Sequence, residues 1–155
     1  MSTNHIVQGG GFAADSGTTE LELDCHVVMG QDCCLTLRLR FIYRMSDPYV
    51  VRLEFPSGSP DLPPVVWELS RELLWEGIRR PAGLGSVRIW PPCCRCGGGQ
   101  LRILLKEAEE TALLEVPFSK LYVWLVSDSF GLVPMGTESR LIEWDAVVRR
   151  LRDDR

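Results

Sequence analysis

Hydrophobic and polar residues alternate one by one along three consecutive segments, residues 19–27, 35–44 and 49–55. A period of two residues is typical of a β-strand that buries one face. Asp47 and Pro48 favour a turn between the second and third segments, so the fold is predicted to begin with an antiparallel meander. In the first segment the apolar positions are Leu21, Leu23, Cys25 and Val27.

The second half of the chain mixes short alternating segments with stretches of helical periodicity. Ser70 is a suitable N-cap for a helix that Gly77 and Pro81 end. Further strands are predicted at residues 65–67, 87–90, 101–106 and 112–116. A second helix is predicted to start at Pro117, with an apolar stripe formed by Phe118, Leu121, Tyr122 and Leu125. A third helix, with Asp145 as its cap, has the same spacing at Trp144, Val147, Val148 and Leu151.

This order of elements predicts an α+β fold in which helices cover a curved antiparallel β-sheet or open β-barrel. Residues 1–18 are rich in glycine and lack apolar periodicity, so they are predicted to form a flexible N-terminal arm, and residues 19–152 a single domain. The sheet's second face needs cover from helices or from another subunit, which predicts a homo-oligomer. Its apolar positions are Ile42, Val50, Trp90, Leu104 and Leu113.

Length and composition place the chain among ordinary soluble proteins. With 155 residues, 45% of them hydrophobic and 25% charged, it is large enough for one domain with its own core. No stretch approaches the roughly 18 uncharged apolar residues of a membrane span, and the N-terminus lacks the features of a signal peptide. We therefore expect a cytoplasmic protein that does not insert into a membrane.

Six cysteines are the unusual part of the composition. Cys93 and Cys96 have the C-x-x-C spacing of two zinc ligands, and Cys33 with Cys34 could add further ligands if the fold brought them near. A structural zinc site normally needs a second well-spaced pair, which the two histidines do not supply. The cysteines are therefore interpreted as incidental, and neither a metal nor another cofactor is predicted.

The sequence lacks the common catalytic motifs: it contains no G-x-S-x-G, no glycine-rich phosphate loop between a strand and a helix, and no H-E-x-x-H. His26 alternates outward among acidic residues and is interpreted as a surface residue rather than a general base. No catalytic residue is assigned, and the protein is predicted not to be an enzyme.

Arginine outnumbers lysine by fifteen to two. Arginines on the outward positions of a sheet can hold single-stranded nucleic acid. Cross-strand pairing with neighbouring carboxylates is the alternative, and the net charge of −4 favours it, because non-specific nucleic-acid binding normally requires a basic surface. On these grounds nucleic acid is not predicted as a partner. The outward arginines are Arg38, Arg40, Arg44, Arg52, Arg88 and Arg102.

Two tryptophans lie outside the predicted core pattern. Trp90 shares the outward side of its strand with Arg88, and Trp124 lies off the apolar stripe of its helix, roughly opposite Tyr122. Exposed tryptophans are enriched at protein interfaces because each buries a large area at little entropic cost. Trp90 and Trp124 are therefore the candidate interface residues, with a second core layer as the alternative for both.

Five segments in chain order, residues 47–55, 66–77, 81–91, 112–117 and 133–138, carry a family resemblance. The first reads Asp47-Pro48-Tyr49-Val50-Val51-Arg52-Leu53-Glu54-Phe55. The third, Pro81-Ala82-Gly83-Leu84-Gly85-Ser86-Val87-Arg88-Ile89-Trp90-Pro91, has the pattern P-x-G-x-G-x-V-R-x-W-P. In these segments the chain resembles the SsgA-like proteins, a sporulation and cell-division family of filamentous actinomycetes.

The resemblance implies a non-enzymatic regulator or adaptor that helps to position the septum in sporulation-specific cell division. It would act at the division septum through contacts with other SsgA-like proteins and with the tubulin-like division protein FtsZ. It also implies a barrel-like antiparallel sheet with helices, a homotrimer, and a shape similar to that of the whirly single-strand nucleic-acid-binding proteins. The alternative function is a single-stranded nucleic-acid-binding module that uses the outward strand arginines.

Overall fold

The computed structural model describes residues 17–28, 33–93 and 99–153. Its centre is a seven-stranded antiparallel sheet, nearly closed into a barrel, with the strand order β4-β3-β2-β1-β7-β6-β5. This confirms the predicted α+β fold. The predicted arm lies outside the described residues up to position 16, and the first strand begins at Thr18. The strands are β1 (Thr18–Val28), β2 (Cys34–Arg44), β3 (Val50–Phe55), β4 (Val65–Ser70), β5 (Val87–Trp90), β6 (Gln100–Glu107) and β7 (Glu110–Pro117).

The core lies on the inner face of this sheet, and the alternating pattern of the sequence determines which side chains reach it. Leu23 and Cys25 on β1 point inward, while Glu22 and Asp24 between them point outward and are exposed. A register shift of one residue would turn every apolar side chain outward, so the pattern also fixes the pairing. The other buried strand residues of the core are Leu39, Phe41, Tyr43, Val51, Leu53, Leu69, Ile89, Leu101, Ile103, Leu105, Leu114 and Val116.

Helix α1 (Arg71–Arg79) connects the two edge strands, β4 and β5. The predicted cap is confirmed, since the Ser70 side chain accepts a hydrogen bond from the Leu73 amide. Gly77 does not end the helix as predicted. It lies within the helix and is buried, and a Cβ atom there would come within 2.3 Å of Ile89 Cγ2. The glycine is therefore needed for close contact between α1 and β5.

After β7 the chain forms α2 (Phe118–Val123), a π-helical segment (Trp124–Ser129) and α3 (Phe130–Leu132). Pro117 precedes the helix instead of opening it. Trp124 is only 3% exposed, so its predicted place on an exposed face is wrong. Its indole Nε1 donates a 3.1 Å hydrogen bond to the Thr19 hydroxyl, and its ring packs against Phe41. Burial is tolerated because the one polar group of the ring has a partner.

A buried arginine links α1 to the chain that follows α3. Arg71 is 2% exposed, and its guanidinium carbon lies 4.5 Å from the centre of the Tyr43 ring. It donates hydrogen bonds to the carbonyls of Ser129 and Val133 and a 2.7 Å hydrogen bond to Glu138. Partial burial raises the pKa of Glu138, but backbone hydrogen bonds and Arg71 together outweigh this and hold the pKa below its ordinary value.

The last elements are a short 3-10 turn (Glu138–Leu141) and α4 (Trp144–Asp153). Asp145 falls in the first turn of α4 and not at its cap. The predicted apolar stripe is present, but it does not pack into the core, because α4 contains no buried residue. Trp144 is 55% exposed, and Val147, Val148 and Leu151 are exposed as well.

Candidate protein-interaction surface

The outer face of the sheet, opposite the core, has two different halves. We call the part on β1 to β4 the charged half. Its arginines lie beside carboxylates of neighbouring strands, as the paired register of antiparallel strands allows. The ion pairs are Arg38 with Glu22 and Asp24, Arg40 with Glu20 and Glu54, and Arg52 with Glu68.

These pairs bear directly on nucleic-acid binding. Arg38, Arg40 and Arg52 each already have a carboxylate within 4 Å. Glu54, which accepts two hydrogen bonds from Arg40, is largely buried. A surface in which acids and bases alternate has little net potential to release counterions from a nucleic acid. The charged half therefore favours cross-strand pairing, the alternative that the net charge had indicated.

We call the other part, on β5 to β7, the apolar half. It contains an open groove of about 620 Å³, here named the Trp90 groove. A second hollow, of about 450 Å³, lies on the other side of Trp90. The Trp90 groove is lined by Trp90, Pro91, Cys93, Gln100, Arg102, Leu104, Leu113 and Glu115, and the second hollow by Pro81, Ala82, Gly83, Leu84, Arg88 and Trp90.

Strand register explains how the Trp90 groove forms. Trp90 pairs with Arg102, and Leu104 pairs with Leu113, so aromatic and aliphatic side chains of three strands meet on one face. Arg102 forms a 3.6 Å ion pair with Glu115 across the groove. At the same end, Gln100 Oε1 is buried and has no hydrogen-bond partner among the described residues. The groove thus has an apolar floor, and a buried acceptor without a described hydrogen-bond partner lies beneath its surface.

Glycines shape the loop that borders the second hollow. Gly83 has a φ of +98°, and a Cβ atom there would lie 2.2 Å from the Val87 carbonyl oxygen, so a side chain is excluded. This tight loop carries Leu84, which is 88% exposed. Sequence reasoning missed Leu84, although a large apolar residue between two glycines of the 81–91 segment was a usable signal.

The structure separates the two candidate tryptophans. Trp90 is half-buried and borders both hollows, so it is placed where a partner could contact it. Trp124 belongs to the core, where the second-layer interpretation applies. The assignment of Trp90 to an interface stays a prediction.

Cys34 and Cys93, one cysteine from each of the two predicted pairs, do not lie on neighbouring strands. Cys34 lies on β2, whereas Cys93 follows β5, which is four positions away in the strand order, and Cys96 lies outside the described residues. Among residues 17–28, 33–93 and 99–153, no group of three His, Cys, Asp or Glu side chains is arranged to hold a metal ion. Cys25 is buried in the core, and burial raises the pKa of its thiol to about 11, which disfavours the reactive thiolate.

Fold and surface together define a class of protein: a barrel-like antiparallel sheet that carries an open apolar groove on its outer face. The family model described as "Streptomyces sporulation and cell division protein, SsgA" matches residues 37–138. The chain therefore belongs to the SsgA family, which confirms the resemblance found in its sequence. No helix within the described residues has the length and apolar character needed to cross a membrane.

Several relatives are named sporulation-specific cell division protein SsgB. The one from Frankia casuarinae is 36% identical over 132 residues, covering 85% of this chain and 88% of the relative. The one from Streptomyces coelicolor is 36% identical over 128 residues, covering 83% and 90%. The crystal structure of an SsgA-like sporulation-specific cell division protein from Thermobifida fusca superposes with a TM-score of 0.73 at 32% identity, covering 88% of this chain and 98% of that one.

Proposed function

We propose that this protein is a non-enzymatic adaptor in sporulation-specific cell division, which helps to position the septum by binding FtsZ and other SsgA-like proteins. Its relatives are sporulation-specific cell division proteins, which supports a role in that process. In this proposal the protein works in the cytoplasm at the division septum.

The Trp90 groove is the observation that carries the proposal. It combines a half-buried tryptophan with the aliphatic floor residues Leu104 and Leu113. The second hollow, on the other side of Trp90, adds an exposed apolar loop residue, Leu84. Protein interfaces concentrate binding energy in such aromatic and aliphatic centres. An open groove of this kind suits a protein segment better than a small molecule, which pockets normally enclose.

The same surface supports assembly of the protein with itself. A sheet whose outer face carries apolar residues on several strands gains from cover by a second subunit. We propose a homo-oligomer, with a trimer as the expected state. Closed symmetric assemblies are the usual outcome when one chain associates with copies of itself.

Pull-down and co-sedimentation test this function directly. Purified protein is incubated with FtsZ polymers and, separately, with SsgA-like proteins of the same cell, and the bound fraction is measured against a buffer control. We expect at least one of these proteins to bind above background. Background-level binding with all of them would contradict the adaptor role.

A further inference from the structure

Helix α4 carries an apolar stripe that the rest of the described chain leaves exposed. The four residues of this stripe are spaced along one side of the helix. Such a stripe is unfavourable in water, because amphipathic helices gain most of their stability by packing their apolar side. We call it the α4 stripe, and its residues are Trp144, Val147, Val148 and Leu151.

The half-buried side of α4 lies opposite this stripe. Ala146 is half-buried, whereas the other residues of the helix are exposed. Ala146 follows Trp144 by two positions, which is about 200° around a helix of 3.6 residues per turn. The α4 stripe therefore faces the surroundings and not the domain to which the helix is attached.

The chain between the sheet and α4 leaves the stripe accessible to another surface. Glu138 is held by Arg71 through a 2.7 Å hydrogen bond. After Glu138, the described residues 139–153 form hydrogen bonds only among themselves and with Thr137. The helix can therefore settle on a surface without breaking a hydrogen bond to the sheet.

Arginines border the α4 stripe on both sides. Arg150 lies three residues after Val147, and Arg152 four residues after Val148. Both arginines are exposed, and neither forms an ion pair with another described residue. This differs from the charged half of the sheet, where carboxylates of neighbouring strands pair with the arginines. The arginines of α4 are thus available to an anionic partner.

The carboxylates of α4 lie away from this part of the stripe. Asp145 is in the first turn, where the helix dipole favours a negative charge. Asp153 follows Trp144 by nine positions, which is about 180° around the helix, so it lies on the side opposite the stripe. Positive charge therefore borders the C-terminal half of the stripe.

This pattern matches the surface of an anionic lipid bilayer. Helices that lie in the bilayer interface have an apolar side with tryptophan or leucine and basic residues beside it. The methylene groups of such arginines stay with the apolar side while the guanidinium groups reach the phosphates. A bilayer supplies phosphates on both sides of a helix, whereas a protein groove would need carboxylates on both of its walls. Arginines on both sides of the stripe therefore favour the bilayer.

The length of α4 determines how it would lie. Its ten residues span about 15 Å, which is half of the roughly 30 Å hydrocarbon core of a bilayer. A helix of this length cannot cross the bilayer. It would lie parallel to the membrane plane with its stripe about 5–10 Å deep, while the domain stays in water.

We propose that α4 binds the surface of anionic lipid bilayers, with the α4 stripe at the boundary of headgroups and acyl chains. Arg150 and Arg152 bind the lipid phosphates. The attachment is peripheral and depends on anionic lipid, because the arginines supply the attraction to the surface. This inference goes beyond the proposed adaptor role and depends neither on the Trp90 groove nor on self-association.

Co-sedimentation of the full chain with vesicles tests the stripe. Vesicles of phosphatidylglycerol and phosphatidylcholine are compared with vesicles of phosphatidylcholine alone. The native chain should partition at least tenfold more strongly into the anionic vesicles, and Val148→Asp should lose at least tenfold of this binding. Val123→Asp, at an exposed valine of α2, is the matched control and should bind like the native chain. No binding by the native chain, or equal binding by the two variants, would overturn the proposal.

Charge reversal tests the arginines. Arg150→Glu with Arg152→Glu should lower partitioning into anionic vesicles at least tenfold. Lys106→Glu with Lys120→Glu changes the net charge by the same amount at two exposed lysines and is the control. At physiological salt, charges farther than about 8 Å from the lipid are screened, so the control should bind like the native chain. Equal losses in both double variants would refute a specific role of α4.

Fluorescence of Trp144 reports whether the helix itself enters the interface. Its emission, obtained as the difference between the native chain and Trp144→Phe, should shift to shorter wavelength with anionic vesicles and be quenched by brominated lipids. An unshifted Trp144 in vesicle-bound protein would overturn the proposal.

Capture of division proteins is scored separately. If Val148→Asp weakened capture of FtsZ or of an SsgA-like protein while vesicles bound nothing, α4 would be a protein-binding helix. That outcome would refute the lipid inference and leave the adaptor role intact. Vesicle binding through α4 without any captured division protein would refute the adaptor role alone.

Discussion

The two sides of the sheet use tryptophan in opposite ways. On the inner side, Trp124 is buried against Phe41 with its N–H bonded to Thr19. On the outer side, Trp90 is half-buried between two hollows, with an unsatisfied acceptor nearby. The inner side is packed within one chain, whereas the apolar half of the outer side carries an open groove among the residues that the structure describes. We expect the inner side to control stability and the outer side to control binding.

Trp124→Ala is expected to have the largest effect on folding. Removing a buried tryptophan leaves a cavity and an unpaired Thr19 hydroxyl, and such changes lower the free energy of unfolding by about 3–5 kcal/mol. Urea denaturation followed by circular dichroism measures this. A loss below about 1 kcal/mol would mean that Trp124 does not belong to the core.

Arg71→Leu is expected to cost about 3 kcal/mol of unfolding free energy, because breaking a buried ion pair strands the remaining charge. Here the Glu138 carboxylate and the Val133 carbonyl would lose the donor that Arg71 supplies, whereas the Ser129 carbonyl would keep its hydrogen bond from the Val133 amide. The same denaturation experiment measures the loss, and Arg38→Leu on the charged half is the control, with an expected change below about 1 kcal/mol. Equal losses for both variants would contradict the distinction between the two sides.

Gly77→Ala tests the contact between α1 and Ile89, the inward-facing neighbour of Trp90 on β5. The added methyl would meet Ile89 at 2.3 Å, and overpacking of this kind costs about 1–3 kcal/mol. Gly131→Ala, at an exposed helical glycine with open space around it, is the matched control and should not destabilise the protein. The midpoint of thermal unfolding is measured for both variants. A midpoint of Gly77→Ala equal to that of the native protein would contradict the close contact between α1 and β5.

Glu138→Gln is expected to change the pH dependence of stability. Because the folded-state pKa of Glu138 lies below its ordinary value of about 4.3, its ionised form adds stability that is present above this value and lost as the pH falls through the folded-state pKa. The difference in unfolding free energy between native and Glu138→Gln proteins should therefore shrink from pH 7 towards pH 3. If the unfolding free energies of the native and Glu138→Gln proteins ran parallel between pH 7 and pH 3, ionised Glu138 would not contribute to stability.

The smallest signal is expected when single-stranded nucleic acid is added to the protein. Fluorescence anisotropy with labelled single-stranded oligonucleotides should give flat titrations at low and at physiological salt, because the charged half pairs its own arginines with carboxylates. Arg38→Ala should leave the titration unchanged. Salt-sensitive binding that Arg38→Ala weakens would instead support the nucleic-acid alternative.

Strands were the part of the fold most accessible from sequence. The alternation of apolar and polar residues along β1 or β6 is visible in the local sequence. It follows directly from the burial of one face of the strand. Strand order determines how the sheet curves into a barrel and which strands separate Cys93 from Cys34. A local sequence pattern does not reveal strand order. Sequence reasoning could therefore suggest a shared metal site but could not test it.

Helix faces were harder to predict. Leu121, Trp124 and Leu125 satisfy the spacing i, i+3, i+4 as well as the stripe that included Tyr122, and the two choices differ only by a rotation of the helix. Burial of Trp124 is favourable because its indole N–H donates a hydrogen bond to Thr19, which is 105 residues away in sequence. Arg71 was missed for a similar reason, since its partner Glu138 is 67 residues away.

Trp90 was found because an apolar aromatic residue occupied an outward strand position. The groove beside it was not predictable, because it requires Leu104 and Leu113 to pair in register beside β5. The stripe of α4 was correctly located along the sequence, but periodicity cannot tell whether a stripe faces the chain's own core or a partner.

The most direct test of the central claim is the affinity of Trp90→Ala for FtsZ and for the SsgA-like protein that the native chain captures, with Arg38→Ala as the control on the charged half. Trp90→Ala should lose at least tenfold in affinity while its free energy of unfolding changes by less than about 1 kcal/mol. Arg38→Ala should bind like the native chain. Native-like binding by Trp90→Ala, or an equal loss in both variants, would contradict the assignment of binding to the apolar half.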